Sequence, residues 1–299
     1  MNRLGIVIPA YKQEFLRKTL ESIIHQTDQH FDLYVFDDCS PYELDSIIRP
    51  FADRCKLYHR FDENMGGKNL VSHWNRCVKM VDNEYIWLFS DDDIMSSNCV
   101  SKFYETLSVT DESYDVYRFN TIVINSNSIK VSQSSSHPYS QKVESFLVSR
   151  LSNRCRSYMP EYIFRRSCFA KNANSFVQFP LAWNSDDATW ILFGANQGLK
   201  LIDNAFVNWR YSGENISSLR TNSKDKFIAD CQYYSWLYKQ RFIKTWQAPL
   251  LSYWLAKRIV SIYKIGFLEH LKTIYRLRCL GTLVFSLPLY LFNFISRRW

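Results

Sequence analysis

Glu84–Phe89 reads EYIWLF and runs straight into Ser90-Asp91-Asp92-Asp93. A short apolar run rich in aromatic and β-branched residues predicts a buried strand. Three acids in a row end it, and carboxylates held together repel unless a cation or a hydrogen-bonding ligand joins them. The same design recurs upstream. Arg3–Ala10 (RLGIVIPA) reads as a strand ending at Pro9-Ala10-Tyr11, and Phe31–Phe36 (FDLYVF) as one ending in Asp37-Asp38-Cys39-Ser40-Pro41. Helical patterns separate them. Gln13–Gln26 carries Phe15, Leu16, Leu20, Ile23 and Ile24 at helical spacing, Tyr42–Ala52 is a short helix, and Lys56–Arg60 is a further strand. Lys68–Met80 and Ser96–Leu107 are helical, the latter with Ser96 or Ser97 as its cap. Repeated βα units predict a mostly parallel sheet with helices on both faces. Ligands bind such sheets beyond the carboxyl ends of the strands, so the three polar strand ends are expected along one edge.

Further on, Asp115–Ile124, Glu161–Arg165, Leu199–Ile202 and Ala205–Tyr211 read as strands, and Ser185–Gly198 as a helix. Asn125–Ser140 holds seven serines and reads as a loop. From about Asn222 the pattern turns helical. Residues 239–299 carry 11 basic residues against the single acid Glu269, a charge of +10, which leaves −2 for residues 1–238. Cys279–Ser296 is 18 residues without a charge, at the lower limit for a membrane span, and Gly281, Pro288 and Asn293 interrupt it. A span, helices lying on the membrane surface and a partner-binding tail stay open; the basic, apolar character favours association with an anionic membrane surface.

With 299 residues, 46% of them hydrophobic and 22% charged, the chain has enough apolar material for a large core, which excludes disorder and fibrous repeats. None of the eight cysteines forms C-x-x-C, no histidine falls in H-E-x-x-H, and no signal peptide precedes the first strand. Reduced thiols in a cytoplasmic protein are expected. The basic tail lacks RNA-binding motifs and is too apolar to favour nucleic acid.

Several residues are candidates for chemistry. Asp91, Asp92 and Asp93 suit oxygen coordination of Mg²⁺ or Mn²⁺; the same acids also suit the start of the following helix, through the macrodipole. Asp37-Asp38 on the same edge favours a ligand. Asp186-Asp187 stands at a helix start, where capping competes with a general-base role on a hydroxyl. Asn64-Met65-Gly66-Gly67-Lys68-Asn69 is either a glycine turn or a phosphate-holding loop, without a P-loop or dinucleotide fingerprint. Arg154, Arg156, Arg165 and Arg166 are solvated charges or contacts for an anionic acceptor. Arg210–Ser217 (RYSGENIS) is read as a lid whose arginine meets a diphosphate.

The order IVIPAYK (6–12), VFDDCS (35–40), NMGG (64–67), WLFSDDDI (87–94), SDD (185–187) and RYSGENIS (210–217) resembles the family 2 glycosyltransferases of the GT-A fold, over residues 3–220. The resemblance implies an inverting transfer from a nucleotide-sugar, with Mn²⁺ or Mg²⁺. It implies Pro9 and Tyr11 as the nucleotide cradle, Asp38 as the hydrogen-bond partner of the base, usually uracil, and Asp91 beside the ribose or donor sugar. Asp92 is implied as the metal ligand, Ser90 standing where many members carry an Asp. Asp187 is implied as the catalytic base, with Asp186 in place of a Glu, and Arg210 and Ser217 as parts of a segment closing over the diphosphate. The expected organisation is a GT-A domain at 1–221 and a helical, membrane-associating tail at 222–299. Bacterial members of this type commonly build surface polysaccharides such as O-antigen or capsule on glycan or polyprenyl-linked acceptors, at the inner face of the cell membrane. The competing readings are a sugar-1-phosphate nucleotidyltransferase, disfavoured by the lack of a glycine-rich loop after the first strand, and a non-catalytic membrane-associated glycan-binding protein.

Overall fold

The computed structural model describes residues 2–133, 136–213 and 222–242, with positions 253, 254, 257, 268, 271, 272 and 275. The first half follows the βα reading: β1 (Leu4–Ala10), α1 (Leu16–Ile24), β2 (Phe31–Asp37), α2 (Leu44–Ile48), β3 (Cys55–Arg60), α3 (Leu70–Lys79) and β4 (Tyr85–Leu88). Next come β5 (Ile94–Met95), α4 (Cys99–Val109), β6 (Val116–Ile124), β7 (Lys130–Gln133), β8 (Ser140–Gln141) and α5 (Val143–Leu151). The last described elements are β9 (Tyr162–Arg165), α6 (Arg166–Lys171), α7 (Ser185–Phe193), β10 (Leu199–Arg210) and α8 (Ser223–Lys239).

The described strands form one sheet in the order β3-β2-β1-β4-β9-β6-β10-β5, with β7 beside β6 and β8 beside β10. The sheet is mixed. β3, β2, β1 and β4 are parallel, while β9 lies antiparallel between β4 and β6. Pairing of Ala10 with Asp37, and the Phe89 N–H donated to the Val7 carbonyl, bring the ends of β1, β2 and β4 to one edge. The two stretches read as separate strands at 199–211 are one strand, β10, with an irregularity between Ile202 and Phe206 that keeps both halves on β6. The serine-rich stretch is not all loop. Asn125 Oδ1 accepts from the amides of Asn127 and Ile129, closing a turn from which β7 returns on β6.

Helices cover both faces because the central strands, β1, β2 and β4 among them, are apolar and buried on both sides. One core holds Leu16, Leu20 and Ile23 of α1 and Phe103 of α4 against Trp87 and Phe119; the other holds Val71 and Trp74 of α3, Trp190 of α7 and Phe227, Tyr233 and Leu237 of α8. Each such fully buried aliphatic or aromatic side chain contributes roughly 1.5–3 kcal/mol. Thus α8, on the tail side of the expected boundary at 221, buries its apolar residues in the same core as α3 and α7. The cap of α4 falls at Asn98 rather than Ser96 or Ser97; the Ser96 hydroxyl instead donates to Asn98 Oδ1. Ser217 and the uncharged stretch 279–296 lie outside the described residues. No helix among the described residues is long and apolar enough to cross a membrane.

Candidate functional site

A cleft of about 960 Å³ opens at the carboxyl ends of β1 and β4. One wall is the rim of the parallel half: Pro9, Tyr11, Lys12, Gly66, Gly67, Ser90, Asp91 and Asp92. The other is built by Arg150, Arg156–Pro160, Leu181–Asn184, Asp186 and Asp187, with Trp209 and Tyr211 from the end of β10.

The rim is fastened by its own acids. Asp91 Oδ2 accepts from the amides of Tyr11 and Lys12, both at 2.8 Å, tying the turn after β1 to the turn after β4. The Ser40 hydroxyl donates to the Tyr11 carbonyl at 2.6 Å, adding the turn after β2. Asp92 is buried, and the Lys12 ammonium lies 3.6 Å from its Oδ2. Burial and the Asp92 charge push the Asp91 carboxyl up to about 6, against the two amides. Burial also raises Asp92, which Lys12 and Arg210 oppose, and holds Asp93 well above the usual carboxylate range. Burial is the first cause at all three acids, and the Asp92 charge adds to it at Asp91 and Asp93.

Asp38, expected at the base, does not line the cleft. Its carboxylate is buried behind the rim, where Oδ1 accepts from the Met65 amide at 2.9 Å and Oδ2 from the Gly66 amide at 2.7 Å, with Arg76 and His73 also on Oδ1. It pins the NMGG loop to the sheet. A Cβ on Gly66 would sit 2.5 Å from Asp38 Oδ2, so only glycine lets the backbone approach that closely. Asn69 then starts α3 by accepting from the Ser72 amide.

Arg210 overturns its expectation. Instead of standing on a lid it is fully buried below the acids. Its Nε donates to the Asp92 carbonyl at 2.7 Å, its Nη1 to the carbonyls of Asn125 and Ser126, and its amide to Asp93 Oδ1 at 2.7 Å. The guanidinium also stacks over the Phe15 ring at 4.2 Å. Those bonds make it a brace between β10, the acid turn and the β6–β7 turn.

The opposite wall is positioned by the start of α7. Leu181, Ala182 and Asn184 all adopt positive φ, from 56° to 63°, a costly conformation for residues with a Cβ. α8 holds that turn in place: Asp230 Oδ1 accepts from Trp183 Nε1 at 3.0 Å and Asn184 Nδ2 at 2.7 Å, and Lys226 lies over the Trp183 ring. The turn aims Asp186 and Asp187 into the cleft. Arg150 Nε donates to Asp187 Oδ2 at 2.8 Å, while Asp187 Oδ1, also buried, has no hydrogen-bond partner among the described residues. A buried carboxylate oxygen left open costs about 1–3 kcal/mol unless a ligand donor reaches it. Neither Lys12 nor Arg150 was singled out from sequence. Arg150 lies 37 residues from its partner with no local signal, whereas Lys12 directly follows the first rim strand.

Burial and the Asp187 charge push the Asp186 carboxyl up to about 7. A carboxyl raised above its unfolded value stabilises the fold fully only at low pH, and that contribution is lost as pH rises from about 4 through about 7. Asp186→Asn should therefore stabilise the protein by about 1–2 kcal/mol at pH 8 and by little at pH 4, the full shift being discounted for partial exposure. Chemical unfolding at the two pH values checks this; equal effects at both would remove the stated cause.

Residues 5–169 match the family model described as Glycosyl transferase family 2. Protein CgeD of Bacillus subtilis (strain 168) is 25% identical over 127 residues, 40% of this chain and 30% of that protein. Glycosyltransferase GlyG of Streptococcus pneumoniae serotype 4 (strain ATCC BAA-334 / TIGR4) is 27% identical over 112 residues, 36% of each chain, so the match spans about a third of the length of these relatives. Among solved structures, S. aureus TarS 1–349 in complex with UDP-GlcNAc superposes with a TM-score of 0.67 at 18% identity, covering 89% of this chain and 75% of TarS 1–349. The same protein in complex with UDP gives 0.57 at 16% identity, over 96% and 89%. The structural likeness supports a GT-A-type fold, and the family model covers more than half of the 299 residues: the chain belongs to glycosyl transferase family 2.

Proposed function

We propose that this protein transfers a sugar from a nucleotide-sugar, UDP-linked, to a hydroxyl of a glycan or lipid-linked acceptor, with inversion, in the synthesis of a cell-surface polysaccharide. The observation that supports this most is the pairing, across one cleft, of a carboxylate rim with a buried carboxylate oxygen, Asp187 Oδ1, that no donor among the described residues satisfies. TarS, of the same fold, is solved with UDP-GlcNAc and with UDP, which supports a nucleotide-sugar as donor.

In this reading the base of the nucleotide lies against Pro9, Tyr11 and the Gly66–Gly67 loop that Asp38 holds. Inverting transfer needs a base on the acceptor hydroxyl, opposite the leaving group. Asp187 Oδ1 takes that proton, while Arg150 holds the other oxygen in place. The leaving nucleoside diphosphate needs positive charge, for which Lys12 stands at the rim. Mn²⁺ or Mg²⁺ belongs to the same proposal. Such cations bind through one or two carboxylates and the substrate's phosphates, rather than through an all-protein cage. Asp92 lines the cleft beside Asp91 and would be the carboxylate that holds the ion together with the phosphates, since no group of three acids, histidines or cysteines among the described residues could hold it alone. When bound, the ion neutralises charge on the departing diphosphate.

A thermal-shift panel of nucleoside diphosphates tests the reading, because a ligand bound only by the native state raises its melting point. UDP with Mn²⁺ should raise it most, by several degrees at 1 mM; no shift with any nucleotide would contradict a nucleotide-sugar donor. Peripheral association of the basic tail with the cytoplasmic membrane surface is part of the same proposal. A chain ending at residue 244 should leave anionic vesicles that the full chain floats with, and equal flotation would sink it.

A further inference from the structure

Three cationic side chains line the cleft, and two of them are neutralised within it. Lys12 Nζ stands 3.6 Å from Asp92 Oδ2, and Arg150 Nε 2.8 Å from Asp187 Oδ2. Arg156 has no carboxylate within ion-pair distance among the described residues. Its guanidinium is exposed, and Nη1 lies 3.5 Å from the neutral Tyr158 hydroxyl. A guanidinium offers a planar fork of donors matched to a phosphate or carboxylate.

The position of Arg156 says which ligand it serves. Arg150 Nη1 donates to the Cys155 carbonyl at 2.8 Å, so the residue before Arg156 is fastened to the side chain that holds Asp187. Arg156 therefore belongs to the wall of the acceptor-activating carboxylate, whereas a donor diphosphate belongs to the rim with Asp92 and Lys12. Beside Arg156 the Tyr158 and Trp209 rings stack at 4.3 Å and 24°, and Tyr211 continues the surface 6.0 Å from Trp209. All three line the cleft. Flat amphipathic rings in a cleft suit the C–H face of a sugar or polyol, with polar groups left at the edge.

We propose that Arg156 with the Tyr158–Trp209 pair forms an acceptor subsite for a sugar or polyol that carries an anionic group. The inference rests on the transferase reading above and names the class of its acceptor. Phosphate and carboxylate share the chemistry, and the test separates them.

Tryptophan fluorescence of the full chain with saturating UDP reads binding of three probes: glucose 6-phosphate, glucuronate and glucose. At least one anionic probe should bind tenfold or more tighter than glucose. The tighter of the two identifies the group as phosphate or carboxylate. Arg156→Gln should abolish the preference, Arg156→Lys should retain part of it, and neither should change the UDP thermal shift. Equal binding of all three probes to the native chain, or an unchanged preference in Arg156→Gln, would overturn the subsite. Loss of the UDP shift in Arg156→Gln would overturn it too, by moving the arginine to the donor. Absence of a UDP shift in the native chain instead counts against the transferase reading, and the probe preference is then read without nucleotide.

Discussion

Asp187→Asn should lower the rate of sugar transfer by about 10³-fold while leaving the dissociation constant for UDP within twofold of the native value. The expectation follows from the division of labour between the two carboxylate oxygens. Oδ2 is held by Arg150 at 2.8 Å, and Oδ1 is buried with no hydrogen-bond partner among the described residues. Asparagine keeps the size and can still accept a hydrogen bond, but it cannot take a proton at neutral pH. Loss of a positioned general base costs typically 10²–10⁴-fold. UDP binding should survive because Pro9, Tyr11 and Asp91 lie on the opposite wall. Steady-state kinetics beside calorimetry separate the two effects. Turnover within tenfold of native would remove Asp187 from the proton-transfer role, and a lost UDP site would point to collapse of the Leu181–Asn184 turn.

Asp92→Ala should have the opposite signature. Metal-dependent UDP binding should weaken by at least 100-fold, and the difference between titrations with and without Mn²⁺ should vanish. Turnover is lost as a consequence. The fold should not suffer, because the Asp92 charge is among the causes that hold both Asp91 and Asp93 above their ordinary range. Removing it relieves that repulsion; Lys12, partly exposed, loses its carboxylate, and Arg210 keeps its bonds to the Asp92 carbonyl and to Asp93. The metal-free melting temperature should stay level or rise. A variant that binds UDP with native Mn²⁺ dependence would remove Asp92 as the metal ligand.

Much of this site was legible in the sequence. Strands β1, β2 and β4 are apolar runs ended by Pro9-Ala10-Tyr11, Asp37-Asp38 and Asp91-Asp92-Asp93, and βα alternation makes neighbouring strands parallel, so their ends meet on one edge. From the residue pattern alone Asp186-Asp187 was legible as a helix start, and its place across a cleft from the rim came only with the family resemblance. Its direction depends on a turn of positive φ held by Asp230, a contact across 46 residues that no local pattern announces. Arg210 was misread for a related reason. An arginine opening a Ser-Gly stretch reads as a lid contact for a diphosphate, yet β10 ends by turning it inward, where it donates to carbonyls of Asp92, Asn125 and Ser126. Asp38 was located correctly on the edge and wrongly toward the cleft, because Gly66, lacking a Cβ, lets the loop amides reach its carboxylate first. The antiparallel placement of β9 was equally hidden, since a four-residue apolar strand carries no mark of its direction.

The account depends most on one arrangement: a nucleotide on the carboxylate rim, facing Asp187. A crystal structure of the full chain with UDP and Mn²⁺ measures it directly. The predicted result places the uracil against Pro9, Tyr11 and Gly66, the cation on Asp92, and the open oxygen of Asp187 across the cleft from the β-phosphate. UDP bound outside this cleft, or on the Asp187 wall with the rim empty, would contradict it.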